Sequence, residues 1–338
     1  MAASNPSPAV SVCIPTFKRP QYLRRAVESV FAQTFPDWEL IVSDDEDPAG
    51  ATWEYLQDLA TQDRRVRITR NPASHGAVPN SNHALRLAHG AWIKLLHDDD
   101  SLRLECLRTL LDAACGFPSV VLVSGLAARY ISGRRVPELR RRGRAPLELI
   151  EQRYAHLGMY LQDCNVGPPS QVMVRRDVIE KGAWYEEAPG IVLAFDTLWN
   201  CAVLSHGDVL LVNRVLVDYH QHGGTMTASH TDQQLEAEYP IVLARERALI
   251  DPGLDPPPLD TVLGMVNCIR AVHRWKKGKV TEGFRLLAKA RRGASWVLAA
   301  RWLLNQAIPG HLHMVPRIEI AGEGPESEAV FGRRTTPA

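Results

Sequence analysis

Residues 10–45 read VSVCIPTFKRPQYLRRAVESVFAQTFPDWELIVSDD. The run Val10-Ser-Val-Cys-Ile14 is apolar and closes at Pro15, which predicts a short buried strand. After the loop Thr16-Phe-Lys-Arg, Pro20 suits the first turn of a helix. Leu23, Val27 and Phe31, with Ala26 and Val30 beside them, keep helical spacing. Trp38-Glu-Leu-Ile-Val42 is a second buried strand, and it ends in Ser43-Asp44-Asp45.

The same alternation continues outward. A helix is predicted from about Thr52 to Gln62, a strand over Val66–Ile68 and a helix over 78–88. The strand Trp92-Ile-Lys-Leu-Leu96 follows, ending at His97-Asp98-Asp99-Asp100. A helix over 102–115 and the strand Val120–Ser124 come next. Strands alternating with helices in this way predict a mostly parallel α/β sheet with helices on both faces and right-handed crossovers. Such sheets bind ligands beyond the carboxyl ends of their strands. Thr16, Asp44 with Asp45, and Asp98 with Asp99 fall at three of those ends, so three separate segments aim polar groups at one edge.

Beyond 125 the pattern loosens. Residues 129–144 hold Arg129, Arg134, Arg135, Arg140, Arg141, Arg142 and Arg144 against Glu138 alone, and read as a mobile loop. That loop is a candidate for closing over a diphosphate, holding an anionic acceptor or meeting an anionic membrane surface; the alternative is a solvated loop. A helix is expected over 147–161, strands at Gln171–Val174, Val209–Val212 and Leu216–Tyr219, and a helix over Phe195–His206. From 231 to 320 the chain reads as helices, broken at the turn-rich Asp251–Pro258, a hinge between a catalytic domain and a helical appendage. Residues 1–9 and 321–338 read as disordered. The segment 293–307, with Trp296 and Trp302, would lie on a membrane, on the catalytic domain or on a second copy, giving a homodimer.

Composition excludes several classes. The 338 residues, 45% apolar and 23% charged, suit a globular protein with a substantial core, and a net charge of +1 argues against nucleic-acid binding. Six scattered cysteines lack a Cys-x-x-Cys pair, which disfavours a zinc site or a disulfide framework and predicts a reduced, cytoplasmic setting. No signal peptide is visible, and no run of about 18 apolar residues predicts a transmembrane helix.

The acidic run has two readings. Three adjacent carboxylates repel one another unless a cation or solvent relieves them. At a strand end, Mg²⁺ or Mn²⁺ would take one or two carboxylates and complete its shell with phosphate oxygens and water. Otherwise the run is a solvated turn capping a helix that begins near Leu102. Asp44 and Asp45 would accept hydrogen bonds from a base or ribose, or form a turn. Asp196, where an apolar segment enters a helix, is a general base or a helix cap. His220 and His222 face opposite sides of a strand, so one of them at most meets a given site.

Residues 12–45 resemble the first strand, helix and second strand of the family 2 glycosyltransferases. Gly76 with Asn82–Asp100 is similar to their second signature, and Pro169–Arg176 with Asp196-Thr-Leu-Trp199 to their acceptor side. The resemblance covers about residues 10–230 and implies the GT-A fold, with a nucleotide-sugar half (10–125) and an acceptor half (126–230). It implies transfer from a nucleoside-diphosphate sugar, UDP by default, to a hydroxyl of a glycan, lipid-linked sugar or small molecule, with inversion. Pro15 and Thr16 would line the base pocket, Asp44 and Asp45 would contact base or ribose, and Phe17, Arg19 and Asn82 would join the nucleotide-sugar site. Asp98 would contact ribose, Asp99 would bind Mn²⁺ or Mg²⁺ with His222 nearby, Asp100 would start the next helix, and Asp196 would be the catalytic base. His97 stands where the family commonly has an Asp, Phe195 where it often has an acid, and Glu46-Asp47 where it has Gly-Ser. The alternatives are a catalytically silent GT-A domain that binds nucleotide or carbohydrate, a sugar nucleotidyltransferase and a Rossmann dehydrogenase. Ile14–Arg19 lacks the Gly-rich loop that the last two require.

Overall fold

Alternation along β1 (Val10–Thr16) decides which layer each of its residues joins. The computed structural model describes residues 7–45, 50–71, 76–136, 145–225, 232–290, 293–307 and 313–321. β1 lies parallel between β2 (Trp38–Asp44) and β4 (Trp92–Leu95), and β3 (Val66–Arg70) runs parallel to β2. Val10, Val12 and Ile14 pack with α1 (Pro20–Phe31), α2 (Ala51–Gln62) and α4 (Cys106–Cys115). Cys13, Ile41 and Leu95 pack on the other face with α3 (Ala77–Arg86), α5 (Gln152–Tyr160) and α7 (Phe195–Leu204). The result is a sheet between two helical layers, as the periodicity predicts, but a mixed sheet and not a mostly parallel one: among the described residues four strand pairings are parallel and six antiparallel.

Among the described residues, eleven strands form one sheet, in the order β11-β8-β10-β6-β9-β4-β1-β2-β3 along its main path. β9 (Val172–Arg175), antiparallel to both neighbours, joins β4 to β6 (Val120–Ile131). β6 runs parallel to β10 (Asp208–Gln221). The short α6 (Arg176–Glu180) follows β9. Gly90 seats β4 against β1: a Cβ there would stand 2.5 Å from the Ser11 backbone nitrogen, so only glycine allows this approach. Its N–H donates to Ser11 Oγ at 2.7 Å.

Several expectations change. Residues 102–115 do not form one helix; Ser101–Leu102 is β5, paired with β10, and α4 starts at Cys106. Residues 147–161 divide into β8 (Leu147–Ile150) and α5, because β10 and β11 (Ile318–Ile320) bond the first four residues from both sides. The two strands expected over 209–219 are one bulged strand, β10. The division at 125/126 falls inside β6, which turns at Ser132 and Gly133 into β7 (Arg134–Val136). The first part of the Arg-rich segment is therefore a hairpin; residues 137–144 lie outside the described residues, as do 1–6 and 322–338.

The C-terminal helices α8 (Asp232–Ala248), α9 (Leu259–Lys276), α10 (Val280–Lys289) and α11 (Gly293–Ala307) share a core with Tyr160 and Leu161 at the end of α5. Trp302 turns inward and donates to Gln162 O at 3.0 Å, while Trp296 is exposed. No described helix is long and apolar enough to cross a membrane, and all six cysteines are free thiols.

Candidate active site

Register places Thr16 of β1 beside Asp44 of β2, so the carboxyl ends of these strands are level. Asn80 of α3 binds them together. Its amide donates to Thr16 O at 3.2 Å and to Ser43 O at 3.0 Å, and its oxygen accepts from Ser43 Oγ at 2.6 Å. Asp45 accepts from the Gly76 N–H at 2.6 Å, just ahead of α3. Above these strand ends opens a cleft of about 610 Å³, within the usual range for small-molecule sites. Pro15, Thr16, Phe17, Arg19, Asp45, Asn80, Asp98 and Asp99 line one wall. Asp44 is buried and is not among the lining residues.

The acidic run separates into distinct environments. Asp98 accepts from Thr16 Oγ1 at 2.8 Å, and Arg19 lies 3.4 Å from it and 3.3 Å from Asp99. Burial and the Asp99 charge hold the Asp98 carboxyl above the ordinary range, against the pull of Arg19 and Thr16. The Asp99 backbone carbonyl accepts from Arg25, and its carboxylate stands 3.4 Å from His222 Nε2. His222 stacks on Tyr22 with ring centroids 4.1 Å apart. Asp100 does not start a helix. It is fully buried beneath β10, accepts from the His220 N–H at 3.0 Å, and burial pushes its carboxyl up to about 6.

His97 enters the cleft between the two walls. Its N–H donates to Ser170 Oγ at 3.0 Å. The Ser170 carbonyl accepts from the buried Lys94, which also donates to Val172 O at 3.1 Å; burial pulls this ammonium down to about 8. Burial alone would lower His97, but Asp196, Asp100, Asp99 and Asp98 together raise it. One ligand atom each from His97, Asp99 and Asp100 lies within 4.8 Å of the others. Imidazole and carboxylate donors together suit a divalent cation; the Ser170 hydroxyl stands near the Asp100 carboxyl, but Oδ2 has no hydrogen bond of good geometry among the described residues. The two carboxylates and the imidazole are thus placed where together they could hold a divalent cation. His222 reaches the Asp99 carboxylate, yet its Nδ1 accepts from the Gly224 N–H at 3.2 Å. In a neutral ring that leaves the proton on Nε2, so ligation through Nε2 requires this turn to open.

The opposite wall is α7. Asp196 sits in its first turn and lines the cleft with Phe195, Leu193 and Pro168. Burial lifts its carboxyl to about 6, and His97 and Tyr185 pull the other way. The Tyr185 hydroxyl stands near this carboxyl without the geometry of a formed hydrogen bond, and Asp196 Oδ1 has no partner among the described residues. Tyr185 stacks on Trp199 at 4.6 Å. Asn82 serves that arrangement and not the cleft: it donates to Tyr185 O at 2.9 Å and accepts from Tyr185 N at 3.0 Å. The cleft-facing residues of α3 are Ala77, Asn80 and Ser81. Helical spacing from Ala77 would have identified that face.

The sequence matches the Glycosyl transferase family 2 over residues 11–182, just over half of the chain. The Campylobacter jejuni GalNAc(5)-diNAcBac-PP-undecaprenol beta-1,3-glucosyltransferase is 37% identical over 108 residues, 32% of this chain and 35% of that protein. The match thus spans about a third of that relative's own length. Staphylococcus aureus TarS 1-349, solved with UDP-GlcNAc, superposes with a TM-score of 0.59 at 18% identity, covering 88% of this chain and 81% of that one. The mannosyltransferase PcManGT of Pyrobaculum calidifontis, solved with GDP-Man and Mn²⁺, gives 0.53 at 16% identity, over 88% and 81%. These two are likenesses of fold, and the expected GT-A architecture stands. On the breadth of the family match, this chain belongs to glycosyl transferase family 2.

Proposed function

We propose that the protein transfers a sugar from a nucleoside-diphosphate sugar, UDP-linked by preference, to a hydroxyl acceptor with inversion at the anomeric carbon. The observation that carries this reading is the cleft itself: on one wall Asp196, whose Oδ1 has no hydrogen-bond partner among the described residues, faces the His97–Asp99 cluster on the other. A base on one side of a reacting carbon and charge stabilisation on the other is what in-line displacement requires.

Asp45 and Asn80 border the end of the cleft that suits the base, and Asp98 suits a ribose hydroxyl. Asp196 takes the acceptor proton as the hydroxyl attacks the face opposite the leaving diphosphate. A cation held by Asp99, with His97 and Asp100 or with His222, would supply charge neutralisation of that diphosphate. Arg19, now on Asp98, Asp99 and the Gly224 carbonyl, would turn to phosphate oxygens once those carboxylates have another partner. The C. jejuni relative's name specifies a diphosphate-linked polyprenol acceptor, which favours a lipid-linked sugar and a role in glycoconjugate or polysaccharide synthesis.

The test is release of nucleoside diphosphate from UDP-, GDP- and dTDP-sugars with Mn²⁺, with and without an undecaprenyl-diphosphate-linked sugar, and product configuration read by NMR. Acceptor-stimulated release that falls by about 10²–10⁴-fold in Asp196→Asn supports the reading. Ligand binding without turnover of any donor would favour the silent-domain alternative.

A further inference from the structure

α7 lacks a side-chain cap of its own, although its first turn carries Asp196. The backbone that leads into it is held from elsewhere. Glu238 of α8, 3% exposed, points its carboxylate at three consecutive amides. Oε1 accepts from the N–H groups of Val192 at 3.0 Å and Leu193 at 3.2 Å; Oε2 accepts from Leu193 at 3.1 Å and Ala194 at 2.9 Å. A carboxylate at a helix N-terminus is favoured by hydrogen bonding and by the helix dipole. Apolar packing reinforces the attachment: Val242, one turn along α8, clusters with Ala188 and Leu198 against Ile191 and Ala194. Gly190 turns the chain towards α8 with a φ of 78°, a conformation that favours glycine.

Leu193, Phe195 and Asp196 all line the cleft, so the carboxylate of Glu238 fixes the peptide from which that wall is built. α8 lies outside the stretch that matches the family. We infer that Glu238 is a positioning residue: through it the C-terminal helical region sets the direction in which Asp196 presents its carboxyl to the acceptor. This rests on the reading of Asp196 as the base.

The experiment compares wild type, Glu238→Ala, Glu238→Gln and Asp196→Asn, and combines Glu238→Ala with Asp196→Asn. Amide hydrogen exchange and turnover are measured on each, with UDP–Mn²⁺ binding by calorimetry. In Glu238→Ala the amides of 192–194 should exchange about tenfold faster while those of β1 are unchanged. kcat should fall by up to about 10²-fold with UDP–Mn²⁺ affinity within about twofold. Glu238→Gln keeps one acceptor oxygen and the same shape, and should fall between. In the Asp196→Asn background Glu238→Ala should cost little further, because groups acting as a unit are not additive. Unchanged exchange at 192–194, unchanged kcat, or the same loss in both backgrounds would overturn the inference. An inert wild type would instead overturn the enzymatic reading, and the exchange data would still separate that failure from a failure of the anchor.

Discussion

His97 is an imidazole in the middle of an acidic site, acted on by Asp98, Asp99, Asp100 and Asp196. It sits close enough to Asp99 and Asp100 to share a cation with them, and its charge lowers the carboxyl of Asp196 on the far wall. This makes a signed prediction. A general base works ionised, and burial puts Asp196 at about 6 instead of its ordinary 3.8. The free enzyme's kcat/KM should therefore be lost as pH falls through about 6 and level off above it. His97→Ala should move that limb to higher pH, and Asp196→Asn should remove it. A flat profile between pH 5 and about 8 in the wild type would show that another group limits the rate. The sequence exposes Asp196 and the acidic run as residues, but not their environments. Asp99 and Asp100 are adjacent in the chain; one lines the cleft, and the other is buried under β10 with one oxygen on the His220 amide.

At the scale of elements, legibility follows the distance to a segment's partners. β1, α1 and β2 were readable because solid apolar runs and a helical stripe each announce themselves locally. β8 was not: Leu147-Glu-Leu-Ile150 is short and fits a helix as well as a strand, and its partners at 209–212 and 318–320 are remote in sequence. The same distance hides Glu148, whose fully buried carboxylate pairs with Arg317 beside β11, and it hides Glu238 from α7. α8 offers a contrasting carboxylate. Glu246 is fully buried, both its oxygens lack hydrogen-bond partners among the described residues, and burial pushes it up to about 8 from an ordinary 4.5. A folded-state value above the unfolded one means that stability is complete below pH 4.5 and is lost as pH rises towards 8, since only the unfolded chain then releases the proton. The slope is up to about 1.4 kcal/mol per pH unit. Glu246→Gln keeps the shape and removes the titration. Denaturant unfolding should show the variant more stable than wild type by about 4 kcal/mol near pH 8, with the difference closing near pH 4.5. Equal stabilities at both pH values would mean that the carboxyl is hydrated or paired in solution.

For the molecule as a whole, the cleft depends on two halves being held in register. One wall comes from the parallel strand ends of β1, β2 and β4, and the opposite wall from α7. They are joined through the antiparallel strand β9, through Lys94 on the 170–172 backbone and through Asn82 on Tyr185. A nucleotide bridging Asp45 and Asp98 together with a cation at Asp99 would therefore tighten a single unit, and each ligand should strengthen the other by the same factor. UDP alone leaves the clustered carboxylates facing a diphosphate, and Mn²⁺ alone lacks phosphate oxygens to complete its shell. Each should raise the melting temperature little, and both together by several degrees. Saturation at about 100 times the dissociation constant is worth roughly 2.7 kcal/mol. Asp99→Asn should abolish the Mn²⁺-dependent part of the shift and leave the small effect of UDP. Asp196→Asn, on the other wall, should preserve both. Calorimetric scanning of these three proteins with each ligand singly and in combination makes the comparison. A full UDP shift in the presence of chelator, or an Asp99→Asn protein that still responds to Mn²⁺, would move the cation away from Asp99 and require the acidic run to bind the nucleotide without it.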